Sequence, residues 1–177
     1  MTSTQRFTEI RSFLSSLPTH QAYKKNLGYL VTKRLIDIVV ASSILLLIMP
    51  WLTPLVALLI KLNSKGPVFF VQKRTGKDNQ TFHCIKFRTM KINKEADTQQ
   101  AITNYLRITR LGKILRLTHI DELPQLLNVL VGTMSIVGPR PHMLYHTEIY
   151  SKAYTYYLLR HESKPGMTGM AQIKGYL

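Results

Sequence analysis

The sequence predicts an α+β protein: a helix-break-helix hairpin that dips into a membrane, followed by a small, mostly helical cytosolic domain with one β-hairpin. Three observations predict it. Residues 35–60 contain no Lys, Arg or Glu, and Asp37 near the entrance is their only acid. Pro50 and Pro54 interrupt that stretch in its middle. Beyond it, two β-rich runs flank Gly76-Lys-Asp-Asn79, and apolar residues of helical period follow. With 177 residues the chain can build one domain with a real core. Cys84 is the only cysteine, which excludes an intramolecular disulfide, argues against a thiolate metal site and fits a reducing cytosol.

Residues 1–32 read as an N-terminal lead-in. They are polar and Ser/Thr-rich, contain Pro18, and lack the apolar core of a cleavable signal peptide. Residues 33–62 read as the membrane segment. Positions 35–60 make about 39 Å of helix, enough to span a hydrocarbon core of about 30 Å. Each proline, however, removes a backbone hydrogen bond where unsatisfied carbonyls are costly. Positive charge also flanks both ends, with Lys24, Lys25, Lys33 and Arg34 before and Lys61, Lys65, Lys73 and Arg74 after. Both ends then prefer the cytoplasm, which a re-entrant hairpin satisfies and a single pass does not. A proline-kinked span is the alternative.

Residues 63–177 read as the cytosolic domain. Gly66-Pro67 gives a turn, residues 68–75 a strand, Gly76–Asn79 a second turn and Thr81–Thr89 a second strand. Lys86 and Arg88, at i and i+2, share one face of that strand, to meet a phosphate or to solvate the sheet. Residues 91–106 are polar, a solvated helix or loop. Leu123, Leu126, Leu127 and Leu130 then mark a helix with Pro124 in its first turn. His142 and His146 have metal-ligand spacing, but no Glu follows His142 in the zinc-hydrolase pattern. Tyr150, Tyr154, Tyr156 and Tyr157 fit a membrane-interface belt or core packing equally well. Gly166 and Gly169 indicate a tight turn and close backbone approach.

The charge balance is strongly basic, 24 Lys and Arg against nine acids, net +15. A polyanionic partner follows: nucleic acid, an anionic membrane or phosphorylated substrates. No recognised nucleic-acid motif accompanies it. Asp121 and Glu122, the only adjacent acids, open the Leu123 helix at its positive end. An ordinary N-cap acid is the plain reading of Asp121. The basic run Arg107–Arg116 and the turn Val137-Gly-Pro-Arg140-Pro bracket the pair, a setting that suits Mg²⁺ and phosphates held together.

Six motifs in one order carry a resemblance. They are Lys33-Arg34 with Asp37; Gly66-Pro-Val-Phe-Phe-Val-Gln-Lys-Arg-Thr-Gly76; Lys86-Phe-Arg-Thr-Met90; Arg116 with Asp121-Glu-Leu-Pro-Gln-Leu-Leu-Asn-Val-Leu130; Met134-Ser-Ile-Val-Gly-Pro-Arg-Pro141; and Lys164-Pro-Gly-Met-Thr-Gly169. Together, over residues 33–177, they resemble the bacterial sugar transferases, the monotopic phosphoglycosyl transferases. Further residues, Tyr157-Leu-Leu-Arg160-His161 and Gln172-Ile-Lys-Gly175 among them, are most similar to the subgroup that primes exopolysaccharide synthesis.

The resemblance implies transfer of a sugar 1-phosphate from a UDP-sugar to undecaprenyl phosphate with release of UMP, at the cytoplasmic face of a bacterial inner membrane. It implies Asp121 as nucleophile, Glu122 as its partner in holding Mg²⁺ or managing protons, Arg116 and Arg140 as phosphate contacts, and a re-entrant helix bent at Pro50. Membrane lipid is the further partner, and a homo-oligomer is compatible. The sequence departs from the family pattern at Met49, where many relatives have Ser, and at Thr133, where an acid is usual. It also ends before a helical stretch usual in the family, so a shortened catalytic domain is expected, with a catalytically impaired membrane-attached scaffold as the alternative.

Overall fold

The structure, a computed structural model, describes residues 26–91, 107–154 and 156–169, with Gln5, Thr8, Glu9 and Ser12 near the start. The polar stretch expected over 91–106 lies, beyond Lys91, outside the described residues, as do Gln172-Ile-Lys-Gly175.

Helix α1, Leu27–Leu47, starts at Asn26, whose side chain accepts a hydrogen bond from the Tyr29 N–H. Its apolar side chains point mostly outward. Ile48 interrupts the helix, and α2, Met49–Asn63, begins with Pro50 in its first turn, where the missing N–H costs nothing. The two axes are bent by 61°. No single helix among the described residues is long and apolar enough to cross a membrane, whereas the bent pair has that length and composition. Trp51, at the bend, is 81% exposed, and Leu46, Leu47, Leu58 and Leu62 are also well exposed. Apolar surface on this scale requires a non-aqueous neighbour.

The inner side of the hairpin is the floor of the core. From α1, Ala41 packs with Phe82, Cys84, Leu126, Val129 and Met134. From α2, Met49, Val56 and Ile60 pack with Phe87 and Leu115. Residues of the expected membrane and cytosolic segments thus share one interior.

Strands β1, Phe69–Thr75, and β2, Thr81–Phe87, form the expected antiparallel hairpin, in register Gln72 opposite Cys84. Asp78 and Asn79 take positive φ of 53° and 61° in its turn, a region their short polar side chains tolerate. Helix α3, Arg110–Leu117, is capped by Thr109, whose hydroxyl accepts from the Gly112 N–H at 2.9 Å. The predicted Leu123 helix forms in two parts, a 3₁₀ turn over Ile120–Gln125 and then α4, Leu126–Val131. Pro124 explains the division: it has no N–H to bond Ile120, and the turn closes on i+3 bonds such as Glu122 N–H to His119 O at 3.1 Å. His119, at φ 56°, occupies the cap position, so Asp121 is not the N-cap.

Strand β3, Ser135–Val137, pairs in parallel with β4, Gly166–Thr168. A Cβ on Gly166 would lie 2.0 Å from the Gly138 nitrogen, so the expected close approach of backbones is made here. Helix α5, Leu144–Ala153, precedes a 3₁₀ turn over Tyr157–Glu162. The tyrosines divide: Tyr150 and Tyr157 pack around His142, with ring centroids 5.9 and 5.8 Å away, while Tyr154 and Tyr156 are exposed.

Candidate active site

The 3₁₀ turn carries Asp121 and Glu122 against β2, and both are buried. Lys86 on β2 donates from Nζ to Glu122 Oε1 at 2.6 Å. Arg140, from the loop after β3, donates from Nη2 to the same oxygen at 3.0 Å and from Nη1 to Oε2 at 3.5 Å. Burial works to raise the Glu122 carboxyl, but Lys86 and Arg140 outweigh it and hold the group below the usual carboxylate range. Asp121 differs. Among the described residues its carboxylate makes no hydrogen bond or ion pair, and burial, only partly opposed by Lys86, pushes its carboxyl up. Adjacent acids shifted in opposite directions have different roles. Glu122 is a fixed anion that gathers two cations, whereas the buried Asp121 carboxylate keeps its oxygens without a hydrogen-bond partner among the described residues.

Three elements converge on Arg140. Its loop is pinned by Gly138 N–H to Thr168 O at 2.9 Å and by Gly166 N–H to Pro139 O at 3.0 Å. Arg160 donates to the Arg140 carbonyl at 2.6 Å and to the His142 imidazole at 3.0 Å. Burial, with Arg160 beside it, lowers the His142 pKa to about 3, so the ring stays neutral and can accept. Tyr157 OH lies 2.7 Å from its Nδ1. The histidine whose spacing raised zinc is thus engaged by an arginine and a tyrosine.

Beside Glu122 lies a small, shallow cleft lined by Arg74, Cys84, Lys86, Gln125, Arg140, Pro141 and Gly166. Arg74 is oriented by the Gln72 side chain at 2.6 Å and the Pro141 carbonyl at 3.2 Å. Three cations on one small opening make an anion receptor, and guanidinium groups suit phosphate oxygens.

Of the residues proposed from sequence, Asp121, Glu122, Lys86 and Arg140 come together. Arg116 lies within electrostatic reach of Asp121, its Nε donating to Thr89 Oγ1 at 2.9 Å. Arg88 is buried elsewhere: its guanidinium donates to the carbonyls of Lys65 at 2.6 Å and Ser64 at 2.8 Å, closing the chain after α2. That placement fits a cap on the end of α2. Arg74 joins the site although the sequence marks Lys73-Arg74 only as charge flanking the apolar stretch. Its two-residue spacing from buried Gln72 on β1 was the available signal.

Mg²⁺ takes hard oxygen donors, commonly one or two carboxylates plus substrate phosphates. Asp121 offers an unpaired carboxylate, and Glu122 Oε2 has only the 3.5 Å contact to Arg140 among the described residues. Among the described residues no third His, Cys, Asp or Glu joins them there, so the rest of a magnesium shell would come from substrate and water. On those terms the donor set fits.

A profile described as bacterial sugar transferase matches residues 28–177. The chain is 50% identical over 148 residues to a Klebsiella pneumoniae protein named UDP-glucose:undecaprenyl-phosphate glucose-1-phosphate transferase, covering 83% of this chain and 32% of the relative. It is 48% identical to the exopolysaccharide production protein PSS of Rhizobium leguminosarum bv. phaseoli, covering 82% of this chain and 75% of that one. It is 42% identical to an Aeromonas hydrophila protein named UDP-N-acetylgalactosamine-undecaprenyl-phosphate N-acetylgalactosaminephosphotransferase, covering 82% and 34%. The chain therefore spans about a third of the length of two of these relatives. Because the profile runs unbroken through the bent helices, the acid pair and the Arg140 turn, the chain belongs to the bacterial sugar transferase family.

Proposed function

We propose that this protein transfers a sugar 1-phosphate from a UDP-sugar to undecaprenyl phosphate, releasing UMP, as the priming step of exopolysaccharide, capsule or O-antigen synthesis. The relatives' names support the general reaction. The observation that carries the chemistry is the unpaired, buried Asp121 carboxylate next to a Glu122 that gathers Lys86 and Arg140. Asp121 attacks the β-phosphorus of the donor; the bond to the bridging oxygen breaks and UMP leaves. An oxygen of undecaprenyl phosphate then attacks the aspartyl phosphosugar at phosphorus and the Asp121 carboxylate is restored.

Lys86, Arg140 and Arg74 bind the diphosphate and offset the charge that gathers on the leaving phosphate. Glu122 keeps the first two aimed at the cleft. Asp121 and Glu122 Oε2 would hold Mg²⁺, which when bound supplies further charge neutralisation at the phosphates. The bent helix pair dips into one leaflet of the inner membrane from the cytoplasmic side and brings the cleft to the depth of a lipid phosphate. Surface positive charge at both hairpin ends supports that orientation.

The test is UMP release by detergent-solubilised protein given UDP-sugars, undecaprenyl phosphate and Mg²⁺. Release is expected with at least one donor and is lost in Asp121→Asn. Undiminished release in that variant rejects Asp121 as nucleophile. No release from the intact protein with any donor favours a binding or scaffold role instead.

A further inference from the structure

At the opposite end of α4 from Asp121 is a second gathering of positive charge. Gly132, at φ 92°, closes the helix with its N–H on the Asn128 and Val129 carbonyls. Arg34 of α1 reaches across, donating from Nη1 to Val129 O at 2.6 Å and from Nη2 to Leu130 O at 2.7 Å. Those bonds cover the negative end of the helix, and each Nη keeps a second N–H. Lys33 donates to Ser135 Oγ at 2.7 Å and to Val137 O at 2.9 Å. Lys164, from the loop before β4, completes the corner. The point a Cβ on Gly132 would occupy is 3.4 Å from both Arg34 Nη2 and Lys164 Nζ. The side chain that Gly132 lacks is therefore a notch walled by two cations.

The charge there is not balanced. Among the described residues Lys164 makes no hydrogen bond or ion pair. Asp37, the acid within reach, is buried and already accepts from Ser135 Oγ at 3.0 Å and the Ile136 N–H at 2.9 Å. Burial lowers the Lys164 ammonium, and Arg34, Lys77 and Lys33 add to that. An anion in the notch would offset the charge of Arg34 and Lys164.

The surroundings select the kind of anion. Val131, next to Gly132, is 79% exposed, and on α1 the neighbours of Arg34 at Leu30, Val31 and Leu35 are each at least half exposed. Lys33 and Arg34 are also the last cations before the apolar stretch 35–60. With the hairpin in a membrane as proposed above, the notch would sit where a polar head meets hydrocarbon.

We infer that the Gly132–Arg34–Lys164 notch binds the headgroup phosphate of an anionic membrane phospholipid. The inference rests on the membrane-inserted hairpin proposed above and is independent of the transfer chemistry.

The test uses the purified 177-residue protein in an uncharged detergent. Its melting midpoint is followed against dihexanoyl phosphatidylglycerol, dihexanoyl phosphatidylcholine and inorganic phosphate, for the intact protein, Lys164→Gln and Lys164→Arg. Phosphatidylglycerol is expected to raise the midpoint of the intact protein and Lys164→Arg, with the half-saturating concentration about fivefold higher in Lys164→Gln. An equal response in Lys164→Gln overturns the assignment. So does phosphatidylcholine as effective as phosphatidylglycerol, which leaves only tail binding, or inorganic phosphate as effective, which leaves a site for free anions. A Lys164→Gln effect confined to the Michaelis constant for undecaprenyl phosphate would reassign the notch to the acceptor.

Discussion

Replacing Glu122 by Gln removes one negative charge from between two cations with almost no change of shape. Lys86 and Arg140 then face an amide, half of which is itself a donor. Removing one partner of a buried ion pair costs about 3–5 kcal/mol. The Arg140 side chain is 34% exposed and that of Lys86 21%, so water takes up part of the loss and about 2 kcal/mol is expected. For a chain of this length that lowers the melting midpoint by about 4–8 °C. The same geometry sets a second expectation. Pyrophosphate, a small polyanion, can restore the missing charge between the same cations. It should therefore raise the midpoint of Glu122→Gln more than that of the parent. Thermal unfolding in detergent with and without pyrophosphate measures both, and Lys86→Met combined with Glu122→Gln gives the coupling of the pair. A variant that melts within about 1 °C of the parent, or parent and variant that gain equally from pyrophosphate, would refute the claim that Glu122 organises the cleft.

Three further outcomes are expected. The raised Asp121 carboxyl means that the folded state holds its charge at a cost, so Asp121→Asn should melt higher than the parent while losing UMP release, and release by the parent should fall as pH drops through that raised value; a melting midpoint below the parent's contradicts this. His142 and His161 are held neutral by burial, to about 3 and about 4, so each contributes stability above the unfolded value of 6.5 that is lost as pH falls from 6.5 towards those values. Between pH 7.5 and 5.5 the parent should lose about 1 kcal/mol per histidine and His161→Leu correspondingly less, readable from urea unfolding. Gly112→Ala would place a methyl 2.0 Å from the Thr89 carbonyl oxygen, and since backbone cannot yield as a flexible side chain can, a loss of about 3 kcal/mol in the same assay is expected.

The elements legible in the sequence were those with strong local signals. The apolar stretch with its prolines gave the bent helix pair, and the Gly76–Asn79 run gave the turn between β1 and β2. The Leu123 periodicity gave a helix, but not its 3₁₀ start, because the loss of the Pro124 N–H acts through bond geometry and leaves the apolar pattern unchanged. Charge patterning bracketed the acids with Arg140, and offered Lys86 and Arg88 together as a strand face that meets a phosphate or solvates the sheet. It could not separate Lys86 from Arg88, since alternation along a strand reports a face and the carbonyls of Ser64 and Lys65 that claim Arg88 lie beyond β2's own pattern. The neutral His142–Arg160 support depends on contacts between residues far apart in sequence, and no local period encodes it.

The core shared between the bent helices and the domain sets an order of assembly. The ribosome delivers Ala41, Val56 and Ile60 well before Phe82, Leu115 and Leu126, the side chains that cover them. During that interval both faces of the hairpin are bare. A bilayer can shelter the outer face permanently and the inner one only until the later segments arrive. For the membrane-inserted hairpin proposed above, insertion and folding would be one process, and a chain stripped of α1 and α2 would lack the floor on which the acid-bearing turn rests.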